Sequence, residues 1–456
     1  MPLSVVILAA GKGTRMKSNT PKVLHKLANK PLLEHVYDTA KDLGAEEIII
    51  IYGHGGDQVK QTCEHFDATW VEQKEQLGTG HAVMQAFDSV NLNNNVLVLY
   101  GDVPLTKKET LEALLQDSEG KVALLSVDLD NPFGYGRILR NDNKQVTGIV
   151  EQKDASAEQQ EIKEVNTGIL ACNGESLKQL LNNIDNKNSQ GEYYLTDIFA
   201  LAANDGIEIK TAQAKSSYEV EGVNNRLQLA TLERIFQRNC ADELMINGVA
   251  LADPLRIDIR GNVDISNDVY IDINAIFEGN VKVGTGTSIG PNCVIINSTI
   301  GENVNIKANS VLENAVVENN CDVGPFARLR PGAHLCQKAK VGNFVEVKKS
   351  IIGEGSKVSH LSYIGDTEMG KHVNVGAGTI TCNYDGVNKF KTTIGDDVFI
   401  GSDTQIVAPV TIANGVTVGA GTTLTKNVDE NLLVISRSPQ KSISGWGRPK
   451  KINKKN

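Results

Sequence analysis

A glycine-rich stretch near the N-terminus, Leu8-Ala9-Ala10-Gly11-Lys12-Gly13-Thr14-Arg15-Met16, is followed by Pro21-Lys22. Gly11 and Gly13 let a backbone approach a phosphate, and free N–H groups can then cradle it. Arg15 and Lys22 bring two cations to the same place. Phosphoryl transfer depends mainly on alignment and charge stabilisation, and this set offers both. The stretch is neither G-x-x-x-x-G-K-[ST] nor G-x-G-x-x-G. Glycines alone would favour a plain turn with a solvated Arg and Lys; the full pattern favours phosphate. A second candidate is His360, one of eight histidines, within SKVSHLSYIGD beside Tyr363. A neutral imidazole can take a proton from an amine near pH 7, where Asp or Glu is the weaker base. Arg330 in RLRPG and Lys348 in VEVKKS are cations suited to a phosphate, or else a solvated basic edge.

The elements around these residues fall into two kinds. Apolar runs of strand length occur at Val5–Ala9, Ile48–Tyr52, Val96–Tyr100 and Val122–Val127, with helical stretches such as Pro31–Leu43 and Lys107–Leu115 between them. Alternation of this sort predicts an α/β, Rossmann-like domain with a mainly parallel sheet and helices on both faces. Ligands then bind at the carboxyl ends of the strands, which puts residues 10–17 and Gly101-Asp102 at one rim. Residues 225–245 keep helical spacing at Leu229, Leu232, Ile235, Phe236 and Leu244, without Gly or Pro, and predict one long linking helix.

Beyond it the period changes to six. Ile259, Ile265, Ile271, Phe277, Val283, Ile289 and Ile295 begin the series; after a slip come Ile300, Ile306 and Leu312. Ile352, Val358 and Ile364 resume it, then Ile394, Ile400, Ile406, Ile412, Val418 and Leu424. This is the hexapeptide pattern of a parallel β-helix, its aliphatics stacked inward. Glycine often follows the aliphatic, and small residues there are expected to permit the turn. Two stretches, Gly332–Lys340 and Thr381–Thr393, are expected to break the repeat, the second as a protruding loop of functional interest. The domains expected are 1–226, a helical linker 227–247, and 248–456.

Composition narrows the classes. A net charge of −9 over 456 residues argues against general nucleic-acid binding. No apolar run nears the roughly 20 residues that span a bilayer, and the N-terminus reads as a first strand rather than a signal. The seven cysteines are scattered, without a C-x-x-C pair, so a reducing cytoplasm and no structural zinc are expected.

The G-x-G-T-R-M…P-K pattern resembles the sugar-1-phosphate nucleotidyltransferases. Further matches follow in order: Gln73…Gln76-Leu77-Gly78-Thr79, Tyr100-Gly101-Asp102, Gly134-Tyr135-Gly136-Arg137, Val150-Glu151-Gln152-Lys153, Val165-Asn166-Thr167-Gly168 and Glu221-Gly222-Val223-Asn224. With the six-residue repeat, nearly the whole chain resembles the bacterial bifunctional N-acetylglucosamine-1-phosphate uridyltransferase/glucosamine-1-phosphate acetyltransferases. The resemblance implies that Leu8, Ala9, Ala10, Gly11, Gln73, Gly78 and Thr79 hold the nucleotide of UTP, with Tyr100 and Gly101 in the same UDP-sugar site. It implies that Asp102 and Asn224 hold Mg²⁺, that Arg15 and Lys22 stabilise phosphate charge, and that Gly136, Glu151 and Asn166 bind the sugar. His360 matches the acetyltransferase base. Arg330, Lys348, Tyr363 and Asn374 match the amino-sugar-phosphate residues, and Ala377, Asn383, Tyr384, Ser402, Ala420 and Arg437 match acetyl-CoA contacts.

The same resemblance implies a left-handed β-helix, homotrimers with the acetyl site between subunits, a cytoplasmic enzyme, and a product, UDP-N-acetylglucosamine, that feeds peptidoglycan and lipopolysaccharide precursors. Two alternatives stand beside it: a single-activity nucleotidyltransferase with a regulatory β-helix, and a non-catalytic assembly subunit. His360 and the Thr381–Thr393 loop speak against the first; the set Arg15, Lys22, Asp102 and Asn224 speaks against the second. The basic tail, Arg448, Lys450, Lys451, Lys454 and Lys455, could lie near the coenzyme A phosphates or be disordered, and disorder is expected for its end.

Overall fold

A computed structural model describes residues 2–11, 13–53, 55–118 and 120–448. Lys450, Lys451, Lys454 and Lys455 lie outside the described residues, and Arg448 is exposed. The chain divides into two compact units, Met1–Asn239 and Cys240–Asn456. The division falls inside a helix, Arg226–Ile246. Among the described residues, no helix is long and apolar enough to cross a membrane.

The first unit is built on a nine-stranded sheet. Its main order runs Ile209–Gln213, Val122–Asp128, Glu164–Asn173, Asn95–Tyr100, Leu3–Ala9, Glu47–Tyr52, Thr69–Glu72. Leu3–Ala9 is buried along its whole length and pairs in parallel with Asn95–Tyr100 and Glu47–Tyr52. Its alternate residues enter two cores, one on each face: Val5, Ile7 and Ala9 in one, Val6 and Leu8 in the other. Continuous Val/Ile/Leu runs are what a strand covered on both faces requires. The expected strands and helices are present. Within this main order one strand is reversed, since Glu164–Asn173 runs antiparallel to its neighbours and bulges between Asn166 and Leu170.

The second unit is a parallel β-helix whose ladders join residues 17 or 18 apart, as in Val341↔Val358 and Leu329↔Val347. Every aliphatic of the six-residue series is buried. The parallel ladders and hexapeptide spacing are consistent with a left-handed coil. Two expectations are corrected here. Gly332–Lys340 is not a break: His334–Leu335 pairs in both directions, and Leu329, Leu335, Val341 and Val347 continue the buried column. Nor do the glycines after the aliphatics make the turns. Left-handed backbone falls largely to asparagines such as Asn297, Asn303, Asn309, Asn314 and Asn320, with φ between 44° and 61°. The glycines answer to space instead. A Cβ on Gly284, Gly290 or Gly401 would come within 2.4–2.9 Å of the next coil's backbone. Of Thr381–Thr393, residues 383–391 depart from the coil, leaving after the Ile380–Cys382 strand and returning at Thr392–Ile394, while the residues at both ends stay in the ladders.

Candidate active sites

In the first unit the chain leaves the Leu3–Ala9 strand and turns sharply. Gly13 takes φ 57°, and a Cβ there would lie 2.7 Å from the Lys22 Cβ. Glycine is thus required both by backbone conformation and by the approach of Lys22. The Lys22 ammonium donates to Asp102 Oδ2 and reaches Asn224 Oδ1 at 3.4 Å. Arg15 also donates to Asn224 Oδ1, at 2.8 Å. The Asn224 amide nitrogen bonds Gly222 O at 3.2 Å, which turns its oxygen toward the two cations. The Val223 N–H donates to Asp102 O at 2.9 Å and ties the two segments together. A carboxylate oxygen and an amide oxygen therefore converge on one ammonium. That pair of oxygen donors would also suit a hard divalent cation.

A cavity of about 290 Å³ opens beside this cluster. Leu8, Ala9, Ala10, Gly11, Lys22, Gln73, Gly78, Thr79, Tyr100 and Asp102 all line it. Gln76 and Glu192, absent from the expected set, line it too, and Gln76 fixes the loop by donating to Ala10 O at 2.9 Å. Gln73 is buried, bonded to Gly78 O at 3.1 Å. Gly78 (φ 113°) could not carry a side chain, because its Cβ would meet Tyr193 O at 2.5 Å. Gly101 packs its Cα side against Leu33 and its N–H on Leu8 O.

The expected sugar residues form a second group. Asn166 N–H donates to Gly136 O at 2.9 Å, and Glu151 accepts from Thr196 Oγ1 at 3.1 Å. Burial raises the Glu151 carboxyl above its usual range, and the Thr196 hydroxyl opposes the shift. Burial likewise raises the Tyr100 phenol. None of Gly136, Glu151 or Asn166 is among the residues lining the cavity. Buried Arg137 ties neighbouring segments together by donating to the Tyr135 backbone O and, at 2.8 Å, to the Gln152 side-chain Oε1.

In the second unit, coil register decides which residues meet. Val341, Val358, Val375, Ile400 and Val418 form one column. Two residues beyond each stand Asn343, His360, Ala377, Ser402 and Ala420. Backbone bonds continue the alignment, from Asp403 N to Ala377 O and Gly421 N to Ser402 O, both 2.8 Å. Arg437 Nε closes the row on Ala420 O at 3.2 Å. His360 and four of the expected acetyl-CoA residues therefore follow one edge of the β-helix.

Asn343 was not foreseen. Its Oδ1 is 2.7 Å from His360 Nδ1. An amide oxygen can only accept, so Nδ1 is the donor in this contact; in the neutral ring that leaves Nε2 its lone pair, the form a general base needs. Asn343 stands one coil, 17 residues, before His360.

Arg330 and Lys348 follow Leu329 and Val347 on adjacent coils and share an outward face. Arg330 donates to Glu346 at 2.7 Å, and Glu346 is level with Tyr363. Lys389, from the inserted loop, approaches Lys348 and lowers its affinity for a proton. Crowded cations of this kind favour an anion. Lys389 too was missed, since nothing in the spacing brings 389 to 348. Asn374 is exposed, one coil on from Lys357. The loop is a small hairpin, with Tyr384 bridged to Lys389. Asn383 is buried and donates to Asp366, so its side chain anchors the loop, while Tyr384 is exposed.

Comparison with known proteins follows the same division. Residues 5–162 match the MobA-like NTP transferase domain, 259–341 the GMPPB C-terminal domain, and 391–426 the bacterial transferase hexapeptide (six repeats). A crystal structure of UDP-glucose pyrophosphorylase complexed with UDP-glucose aligns over 52% of this chain and 100% of its own, at 16% identity and TM-score 0.43. A nucleotidyl transferase from Methanothermobacter thermautotroptrophicus aligns over 52% and 99%, at 18% identity and TM-score 0.39. The bifunctional protein GlmU of Marinobacter nauticus is 58% identical over 451 residues, 99% of either chain. With a transferase domain at one end and hexapeptide repeats at the other, the chain belongs to the bifunctional GlmU family.

Proposed function

We propose that this enzyme makes UDP-N-acetylglucosamine in two steps. In the first, the amine of glucosamine-1-phosphate attacks the thioester carbonyl of acetyl-CoA, the C–S bond breaks and the coenzyme A thiol departs. His360 Nε2 takes the amine's proton, while Arg330, Lys348 and Lys389 hold the sugar phosphate beside Tyr363 and Asn374. Acetyl-CoA lies along the Ala377–Ser402–Ala420–Arg437 edge, flanked by Asn383 and Tyr384.

In the second step, a phosphate oxygen of N-acetylglucosamine-1-phosphate attacks the α-phosphorus of UTP, and pyrophosphate leaves. No protein nucleophile is needed. Leu8 to Gly11, with Gln73, Gly78, Thr79, Tyr100 and Gly101, hold the nucleotide; Gly136, Glu151 and Asn166 hold the sugar. Arg15 and Lys22 neutralise charge at the α-phosphate and the departing pyrophosphate. Asp102 and Asn224 would hold Mg²⁺, which supplies further charge neutralisation when bound.

The observation that carries this reading is that each unit has its own constellation, Lys22–Asp102–Asn224 in one and His360–Asn343 in the other. The assay combines glucosamine-1-phosphate, acetyl-CoA, UTP and Mg²⁺, and follows free thiol and pyrophosphate separately. His360→Ala should abolish thiol release and spare pyrophosphate release from supplied N-acetylglucosamine-1-phosphate. Asp102→Ala should do the reverse. One substitution removing both activities from a folded protein would break the two-site reading.

We assign uridylyl transfer to residues 1–226, the linker to 227–247 and acetyl transfer to 248–456, in a cytoplasmic homotrimer. Support for the trimer comes from exposed Phe326, Phe344 and Leu361, held at φ 55°, 55° and 49°, an unusual backbone for bulky residues. The two rings stack at 5.2 Å, and Leu361 adjoins His360, so this apolar strip is suited to a second subunit at the acetyl site.

A further inference from the structure

Glu318, His334 and Cys336 meet on the outside of the β-helix, and neither proposed reaction uses them. Coil register brings them together. Val316 and Val317 pair with His334 and Leu335, and Glu318 N–H donates to Leu335 O at 2.8 Å. Glu318 is therefore level with Cys336 on the next coil. Leu335 is fully buried, so the side chains before and after it, His334 and Cys336, point outward. An imidazole nitrogen, a thiol sulfur and a carboxylate oxygen lie within 4.8 Å of one another. His334 Nε2 is 2.8 Å from Glu318 Oε1, while Glu318 Oε2 accepts the Gln337 N–H at 3.0 Å.

We propose that Glu318, His334 and Cys336 form a binding site for a divalent cation of the Zn²⁺ class, with water as a fourth ligand. The donors select the metal. Thiolate and imidazole suit Zn²⁺ and disfavour Mg²⁺, which takes oxygen ligands. The geometry is within reach. Tetrahedral bonds of about 2.0–2.3 Å set ligand atoms roughly 3.3–3.8 Å apart, so side-chain rotation closes the triangle without moving a coil. The His334–Glu318 contact would open by about 0.5 Å to admit the ion. Gln337 N–H supplies the kind of outer hydrogen bond that orients a ligating carboxylate. A simple His–Glu pair accounts for two of these groups and leaves unexplained the thiol set level with the carboxylate. The site joins consecutive coils, Glu318 on one, His334 and Cys336 on the next, so a bound ion would clip them. The expectation of no structural zinc rested on the lack of C-x-x-C spacing; here the ligands are i, i+2 on one strand and a third one coil earlier.

The test uses full-length, metal-stripped protein titrated with Co²⁺, a coloured stand-in for Zn²⁺, in excess Mg²⁺. The expected result is one equivalent bound with a thiolate-to-cobalt charge-transfer band, bleached when Zn²⁺ is added. Cys336→Ser should remove the band, and His334→Ala should weaken binding by about tenfold or more. Both variants should keep both transferase activities, which shows that they fold. Zn²⁺ should raise the melting temperature of the parent protein and of neither variant. A parent protein without the band overturns the proposal. So does a band that survives Cys336→Ser, or one lost only with Cys382→Ser, which places the metal at another thiol.

Discussion

Replacing Asn343 with alanine isolates the contact that sets the state of His360. The Asn343 Oδ1–His360 Nδ1 bond is 2.7 Å, at an exposed ring. Such a bond is worth about 0.5–1.5 kcal/mol net, so its loss should slow acetyl transfer by roughly 2- to 12-fold. Removing a general base outright costs on the order of 10²–10⁴. Asn343→Ala should therefore lie well short of His360→Ala. The loss should appear in kcat for acetyl transfer, with KM for acetyl-CoA and the whole uridylyl reaction unchanged. Asn343→Asp, whose oxygen can accept the same bond, should recover most of the rate. Stopped or continuous detection of free thiol measures the first activity, and pyrophosphate release the second. The reasoning is refuted if Asn343→Ala stays within twofold of the parent, if Asn343→Asp is no better than Asn343→Ala, or if pyrophosphate release falls in parallel.

Two other perturbations bear on the first unit. Gly13→Ala places a side chain at φ 57° with its Cβ 2.7 Å from Lys22, whereas a Cβ on Gly11 meets nothing within 4 Å. The left-handed backbone alone costs about 1–2 kcal/mol, so Gly13→Ala should lower the melting temperature and cut uridylyl transfer at least tenfold, with acetyl transfer intact. Gly11→Ala should leave the melting temperature where it is; equal destabilisation by both would show that the clash is not the cause. Asp197 tests a pH dependence. Burial, with Asp185, Glu151 and Asp154 nearby, pushes its carboxyl up to about 6. The folded protein thus holds this proton more tightly than the unfolded chain, whose carboxyl titrates near about 4. Stability from Asp197 is complete below about pH 4 and is lost as pH rises through about 6. Asp197→Asn should melt higher at pH 7.5, by about 2–4 °C after allowance for its partial exposure, with no difference at pH 4. A gain that is the same at both pH values would point to packing rather than titration.

The two candidate sites differed in how much of them could be read from the chain. The turn from Ala10 to Lys22 is contiguous, so its glycines and cations announce themselves in a dozen residues. Gly13 also shows why local reading works there, because the residue that forbids a side chain is Lys22, nine positions on in the same turn. The antiparallel Glu164–Asn173 strand was not anticipated, since its polar start and its bulge between Asn166 and Leu170 hide the alternation of an ordinary strand. In the β-helix, strict counting by six found the columns and then lost them. Coils of 17 and 18 residues shift the phase by one, and the polar neighbours of Leu335 made an ordinary coil resemble a break.

That change of phase also explains why acetyl-transfer chemistry is harder to see than the fold that supports it. The edge from Asn343 through His360, Ala377, Ser402 and Ala420 takes one residue from each coil, with the inserted hairpin lengthening one interval. No short window contains two of them, so none looks like a motif. Once the coil length is known, the residue one coil before a candidate base becomes a specific guess, and Asn343 is where that guess falls. Counting also finds the Asn383–Asp366 tie, 17 residues apart, but Lys389 remains beyond it, because a hairpin can fold back at any height. Register thus links the edge proposed for acetyl transfer to the Glu318–His334–Cys336 cluster: in a β-helix, chemistry assembles at intervals of one coil, so the spacing to search is 17 or 18 residues rather than three or four.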